Sequence, residues 1–264
     1  MQTNILRVLF IGDIVGKPGR DALKNKIDAI KDEFKPDFTI INAENAAGGF
    51  GINKKVYDEL DPFGDAFTMG NHTWDKKEIF EKIESMPKLI RPLNIPNSLP
   101  GVGYIKFNIK NIDILVANLL GRIFMNPVDN PFEAVNNLID KKEAASVIKI
   151  IDFHAEATSE KEAMGWYCDG RVTAVLGTHT HVQTADERIL TNGTAYISDV
   201  GMSGSNDGVL GFNADEALDR FLYYIPKKLN VCKKDKRING CIIDCDTISG
   251  KALNIERVNV SAEN

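Results

Sequence analysis

The sequence predicts an α/β protein in which two mixed sheets pack as a sandwich flanked by helices. Three observations carry this prediction. Apolar runs of strand length alternate with helical repeats through the first third of the chain. A proline-rich stretch then gives way to a period of two, and the later half adds two hairpins to further apolar runs.

Leu6 to Ile11 is the first strand, followed by the glycine-rich turn Gly12-Asp13-Ile14-Val15-Gly16-Lys17-Pro18-Gly19-Arg20. Pro18 fits a first helical turn. Leu23, Ile27, Ile30 and Phe34 then recur at spacings of four, three and four, one buried face of a helix that Pro36 stops. Phe38 to Ile41 completes a βαβ unit with an expected right-handed crossover. After the loop Ala46 to Ile52, Asn53 is placed to cap a helix through Leu60, with Val56, Tyr57 and Leu60 inward. The strand beginning at Ala66 carries Asn71-His72, and a helix capped by Asp75 is expected to run to Met86. Pro92, Pro96 and Pro100, with Asn94 and Asn97, form a surface connection.

Beyond it, Tyr104, Lys106, Asn108 and Lys110 interleave with Ile105, Phe107 and Ile109. Lys110-Asn111 turns the chain into Ile112 to Leu120, giving a hairpin with one solvated side. Gly121 to Asn130 is irregular, Pro131 to Lys141 helical, and Val147 to His154 a strand. A helix begins near Ser159, with Glu162 at the capping-box position. Val172 to Leu176 is a buried strand opening into Gly177 and His179, and Ile189 to Ile197 is a hairpin centred on Asn192-Gly193. Gly201 to Gly208 is too glycine-rich to be regular and reads as a lid or rim loop. A helix from Asp215 to Tyr224 precedes a last hairpin, Gly240 to Asp246 with Ala252 to Val260.

With 264 residues, 43% hydrophobic and 26% charged, the chain can bury a large core and reads as a single domain spanning residues 1–264. A net charge of -5 without a basic stripe argues against long nucleic acids as partners. No apolar run approaches the roughly 18 residues of a membrane span, and the N-terminus lacks a signal-peptide pattern. The expectation is a cytoplasmic protein with no membrane partner; a homo-oligomer is compatible with the sequence. Cys168, Cys232, Cys241 and Cys245 form no Cys-x-x-Cys pair, and Cys241 and Cys245 share a strand face without closing a local bridge. They read as reduced structural thiols.

The chemistry gathers at strand ends. All four histidines, His72, His154, His179 and His181, follow apolar runs, and the two remaining early strands end in Gly12-Asp13 and Asn42-Ala43-Glu44-Asn45. Asp13, Glu44, Asn45, Asn71 and the four histidines are therefore delivered towards one rim, where α/β proteins place their sites. Carboxylate, carboxamide and imidazole without thiolate is a metal-ligand inventory. Singly, each residue has a structural reading as well: a strand-end histidine satisfies a hydrogen bond, and Asp13 and Asn71 cap or turn. Phe50, Trp74, Arg91 and Arg122 could stack on a base or hold phosphate, with core packing or surface pairing as the default. Gly48 to Gly51 lacks the Gly-Lys-Ser/Thr ending of a P-loop.

Five segments resemble the calcineurin-like metallophosphoesterases, and more closely the YmdB-like subgroup. They are Gly12 to Arg20, Asn42 to Gly49, Gly70 to Asp75, Asp152 to Lys161, and Gly177 to Thr184, in the family's order. The resemblance implies a four-layer α/β/β/α sandwich and two divalent metal ions per chain. By position it implies Asp13, Glu44, Asn45 and His181 around one ion and Glu44, Asn71, His154 and His179 around the other, with Glu44 bridging. Asn45 either ligates or hydrogen-bonds the shell. The usual Asp-x-His of the first strand is Asp13-Ile14-Val15, and the usual bridging aspartate is Glu44. The oxygen-richer shell favours iron or manganese over zinc, which prefers nitrogen and sulfur, with zinc and magnesium as the alternatives. Two such ions clamp a phosphodiester for in-line attack, and His72, unassigned as a ligand, is the candidate general acid. The implied function is hydrolysis of small phosphodiesters such as 2′,3′-cyclic nucleotides. A phosphomonoesterase or nuclease of this fold, and a metal- and nucleotide-sensing regulatory module, are the competing readings.

Overall fold

Residues 4–142 and 145–262 are described by a computed structural model. One sheet contains β1 (Ile5–Ile11), β2 (Asp13–Ile14), β3 (Phe38–Asn42), β4 (Ala66–Thr68), β5 (Leu89–Ile90), β12 (Met202–Ser205), β13 (Lys236–Asp246) and β14 (Ala252–Ser261). Its order is β2-β12-β13-β1-β3-β4-β5, with β14 also paired to β13. The other contains β6 (Tyr104–Ile109), β7 (Ile112–Leu120), β8 (Ile148–His154), β9 (Ala174–Thr178), β10 (Arg188–Ile189) and β11 (Ala195–Ile197), in the order β10-β11-β9-β8-β7-β6. Both are mixed: β1, β3, β4 and β5 run parallel, as do β7, β8, β9 and β11, and antiparallel strands lie beside them.

Three apolar layers hold the sandwich together. Between the sheets, Val8, Phe10, Phe38 and Ile40 meet Ile114, Val116, Ile150 and Leu176. On the outer face of the first sheet, α1 (Gly16–Phe34), α2 (Lys54–Leu60) and α3 (Ile79–Lys82) pack on Leu9, Ile11, Ile41 and Phe67. On the outer face of the second, α4 (Pro131–Ile139) and α5 (Thr158–Cys168) pack on Leu115, Ile151, Phe153 and Val175. The expected four-layer α/β/β/α sandwich is the architecture observed. β1 shows why its sequence is an unbroken apolar run: Val8 and Phe10 face the other sheet while Leu9 and Ile11 face α1, so neither side is solvated. Helix α6 (Ala214–Tyr223) is the exception to this packing, with Ala217 its one buried residue.

Most predicted elements are found where their patterns place them. Asn53 caps α2 by accepting from the Val56 amide at 2.9 Å. Lys110 and Asn111 turn the β6–β7 hairpin with φ of 53° and 65°, the left-handed pair of a two-residue hairpin. The buried cysteines are unpaired.

Three local expectations are corrected. The helix from Asp75 to Met86 shrinks to α3 and a 3₁₀ turn at Ile83–Ser85, because the Asp75 carboxylate accepts from His72 Nδ1 at 2.8 Å instead of capping. Gly201 to Gly208 is no loose lid: Met202–Ser205 is the buried strand β12, parallel to β2 and antiparallel to β13. Its small residues reflect close packing, since a Cβ on Gly19 of α1 would come within 2.3 Å of the Ser203 carbonyl oxygen. Finally, α5 starts at Thr158 on Ala157 without a side-chain cap, so the Ser159–Glu162 box does not form. Glu160 instead accepts from the Arg122 amide at 2.9 Å and the Ile123 amide at 3.2 Å.

Candidate metal centre

Every candidate side chain sits at or just beyond the C-terminal end of a strand in one of the facing sheets. Asp13 stands on β2, behind Gly12, where an added Cβ would meet the Gly201 carbonyl oxygen at 1.8 Å. Glu44 and Asn45 turn out of β3, and Asn71 and His72 follow β4 across Gly70. A Cβ on Gly70 would lie 2.0 Å from Glu44 Oε2 and 2.5 Å from the His154 ring, so glycine is what lets that carboxylate and imidazole meet. His154 closes β8, and His179 and His181 follow Thr178, the last residue of β9.

His179 and His181 have φ of 101° and 67°, backbone conformations that cost a non-glycine residue on the order of 1–3 kcal/mol unless the surroundings impose them. The Asp199 carboxylate imposes them. It accepts from the Thr180 amide at 2.9 Å, the Thr180 hydroxyl at 2.6 Å and Lys161 Nζ at 2.8 Å, and its other oxygen takes the Gly201 amide at 2.8 Å. The Lys161 and Asp199 side chains are 2% and 1% exposed. Breaking a buried pair from one side leaves an uncompensated charge, so Lys161→Ala is expected to cost about 3–5 kcal/mol of unfolding free energy. Urea denaturation measures this, and a loss below about 1 kcal/mol would mean that the pair does not carry the loop.

The donors converge on His154 Nε2. Its other nitrogen, Nδ1, lies 2.8 Å from Thr178 Oγ1, which donates to Asp152 Oδ1 at 2.7 Å, while Asp152 Oδ2 accepts from Asn42 at 2.9 Å. This chain keeps a proton on Nδ1 and aims Nε2 into the cluster, as in histidines that ligate a metal through one nitrogen and are oriented through the other. Around Nε2 stand Glu44 Oε1 at 3.0 Å, His179 Nδ1 at 3.0 Å and Asn71 Oδ1 at 3.1 Å. A single proton can satisfy one of these electron-rich atoms; a cation among them satisfies all. Glu44, His154 and His179 offer ligand atoms within 4.8 Å of one another.

The remaining candidates flank this cluster. Asp13 Oδ2 accepts from the His179 amide at 3.3 Å, while Oδ1, fully buried, has no hydrogen-bond partner and lies 3.8 Å from His154 Nδ1. An orphaned carboxylate oxygen in the interior is an acceptor awaiting a cation. His181 Nε2 lies 3.2 Å from Asn45 Oδ1, its Nδ1 donates to the Leu210 carbonyl at 3.3 Å, and Asn45 Nδ2 donates to the Gly49 carbonyl at 3.0 Å. His72 is held apart by Asp75, but its amide donates to Glu44 Oε2 at 3.2 Å and its ring lines the same cavity. The donor set thus fits a bound cation, and it brings His154 together with Asn71 and His179, and His181 together with Asn45.

Electrostatics point the same way. Burial pushes the Asp13 carboxyl well above the ordinary carboxylate range. Burial also works against the Glu44 carboxylate, but the charge and hydrogen bond of His154 prevail and hold it down at about 2. Burial resists charging His154, yet Glu44, Asp13 and Asp152 raise it to about 9. His179 is lowered to about 3 by burial and by His154, and burial lowers His181. The pocket therefore draws positive charge to its centre and keeps two imidazoles neutral, the form that ligates.

Several contributors were not assigned from the sequence. Asp152 had a signal: it stands two residues before His154 on one strand and so shares its face. Thr178 lies opposite His154 in the β8–β9 register, which no local pattern reveals. Glu156, 3.1 Å from His179 Nε2, and the Lys161–Asp199 pair had none. Of the four residues weighed for substrate contact, Phe50 lines the cavity. Trp74 packs on Phe80 at 4.6 Å, Arg91 is buried and donates to the Pro92 and Pro100 carbonyls, and Arg122 is exposed.

Known proteins share this sequence and architecture. A family model described as YmdB-like protein matches residues 9–258. A 2′,3′-cyclic-nucleotide 2′-phosphodiesterase of Bacillus subtilis (strain 168) is 52% identical over 256 residues, covering 96% of each chain. The crystal structure of a novel phosphatase of Mycoplasma pneumoniae superposes with a TM-score of 0.93 at 36% identity, covering 98% of this chain and 95% of that one. A hypothetical protein from Thermus thermophilus superposes with a TM-score of 0.91 at 37% identity, covering 97% and 99%.

Proposed function

This chain belongs to the YmdB-like family, and from that premise we propose that it is a metal-dependent phosphodiesterase hydrolysing small phosphodiesters, 2′,3′-cyclic nucleotides above all. The observation that carries the proposal is the convergence of Glu44, Asn71 and His179 on one nitrogen of His154 beside the orphaned oxygen of Asp13. The 52% identity to a cyclic-nucleotide phosphodiesterase supplies the substrate class.

Asp13, Glu44, Asn45 and His181 would hold one divalent ion, and Glu44, Asn71, His154 and His179 a second, with Glu44 shared. Iron or manganese suits this oxygen-rich, thiolate-free set better than zinc. When bound, two such ions supply an activated water and about two positive charges beyond those that Asp13 and Glu44 neutralise, enough to attract an anionic diester.

The chain's own groups do the rest. Asp152 and Thr178 fix the tautomer and tilt of His154. Asp199 pins Thr180 and so sets where the imidazoles on either side of it point. Asp75 accepts from Nδ1 of His72, so the imidazolium form of that ring would present Nε2–H to the departing ester oxygen and return to neutral imidazole on giving it up. Four unpaired buried thiols suit the reducing compartment of a cytoplasmic enzyme; among the described residues no helix is long and apolar enough to cross a membrane.

The test is hydrolysis of 2′,3′-cyclic AMP by chelator-stripped protein reloaded with manganese or iron, with a simple phosphomonoester alongside. Activity is expected to vanish on stripping, return with metal, and favour the diester. Metal-loaded protein that cleaves neither compound would overturn the proposal.

A further inference from the structure

The cavity lined by Glu44, Asn45, His72, His179 and His181 has a volume of about 330 Å³, and most of its remaining wall is apolar: Phe50, Val209, Leu210, Phe212, Phe221 and Leu229. Three of these come from one tight turn. Val209 donates to the Phe212 carbonyl at 2.9 Å and Phe212 returns a bond to the Val209 carbonyl at 3.0 Å, with Leu210 and Gly211 at φ of 51° and 86°. The carbonyl of Leu210 is the one that receives His181 Nδ1. The apolar wall is therefore fastened to a candidate ligand, beside the place where a phosphate would sit. Phe50 stacks on Phe212 at 5.4 Å and meets His72 edge-on at 5.0 Å, which carries the aromatic surface across to the candidate acid. Phe221 of α6 closes the other side and is 82% exposed.

The polar groups on this wall each have a partner within the protein. Arg220 Nε donates to the Lys227 carbonyl at 3.0 Å, Glu156 lies 3.1 Å from His179, and the Thr180 hydroxyl donates to Asp199. These bonds leave the apolar faces as the larger surface that a base would meet.

Resting on the cyclic-nucleotide reading, we propose that this apolar half is the nucleobase subsite, and that it recognises the base by its flat face rather than its edge. A base there covers Phe221 and packs against Phe212 and Leu210 while its cyclic phosphate reaches the strand ends. Every base has a π-face, so such a site is tolerant of sequence. Purine and pyrimidine cyclic nucleotides should have kcat/KM values within about ten-fold of each other, and a diester without a base should bind more weakly.

The experiment compares 2′,3′-cyclic AMP, 2′,3′-cyclic CMP and glycerol 1,2-cyclic phosphate as substrates of the metal-loaded protein, its Phe221→Ala variant and its Phe212→Ala variant. Equilibrium dialysis of adenosine, which has no phosphate, runs in parallel. Losing one stacking surface should raise KM for both cyclic nucleotides about ten-fold, draw it towards the KM of glycerol cyclic phosphate, leave kcat in place and weaken adenosine binding. Phe221 is exposed, so its variant tests the proposal even if Phe212→Ala fails to fold. Unchanged KM values and unchanged adenosine binding in Phe221→Ala would overturn the subsite, as would a preference above about 100-fold for one base. If the parent protein cleaves none of the three diesters, the enzymatic reading falls. The subsite then stands or falls on adenosine binding and its loss in Phe221→Ala.

Discussion

Glu44→Gln is expected to bind fewer metal ions than the parent protein and to lose more than about 100-fold of its phosphodiester turnover. Removing a hydrogen-bonding partner of a ligand costs about 10–100-fold in metal affinity or activity, and Glu44 is proposed as a ligand itself. Its Oε1 lies 3.0 Å from His154 Nε2, and its Oε2 accepts the His72 amide at 3.2 Å, so it touches the cluster and the candidate acid together. Glutamine keeps the shape and removes the charge that holds His154 at about 9. Metal analysis by mass spectrometry and turnover of 2′,3′-cyclic AMP give the answer. A variant with full metal content and parental rate would remove Glu44 from the centre.

His72→Ala should separate the two properties. The His72 ring is directed to Asp75 and Phe50, so metal content should stay at the parental level. Loss of a general acid costs typically about 10²–10⁴-fold in rate, and the fall should appear in kcat. A substrate with a good leaving group, which needs no proton, should suffer much less. Parental turnover by the metal-loaded variant would refute the acid role.

How much of this was legible depended on the range of the interaction. β1 and β8 are buried on both faces, and their apolar runs announce it; the polar residue ending each run marks the rim. The candidate ligands could be collected in that way without knowing which strands are neighbours. The groups that orient the ligands could not. Thr178 meets His154 only through the parallel register of β8 and β9, and Asp199 reaches Thr180 and Lys161 from 19 and 38 residues away. The misread segment Gly201 to Gly208 fails for a related reason. Glycine is ambiguous between a flexible loop and a strand that another backbone approaches closely, and the deciding atoms belong to Gly19 of α1 and Gly12 before β2. The overlong helix after Asp75 fails because one carboxylate had two claimants, an amide and an imidazole.

The Leu210 carbonyl makes retargeting asymmetric. The phosphate end of the cavity is built from positions scattered over both sheets, whereas the apolar wall comes largely from one contiguous stretch between β12 and β13. That stretch is a cassette an engineer, or a lineage under selection, could exchange to change the preferred substrate. The graft would have to preserve one backbone oxygen under His181, for without it a new specificity would arrive with a slackened hydrolytic centre. Diversity is easiest to introduce on α6, whose side chains border the cavity while its backbone holds no ligand.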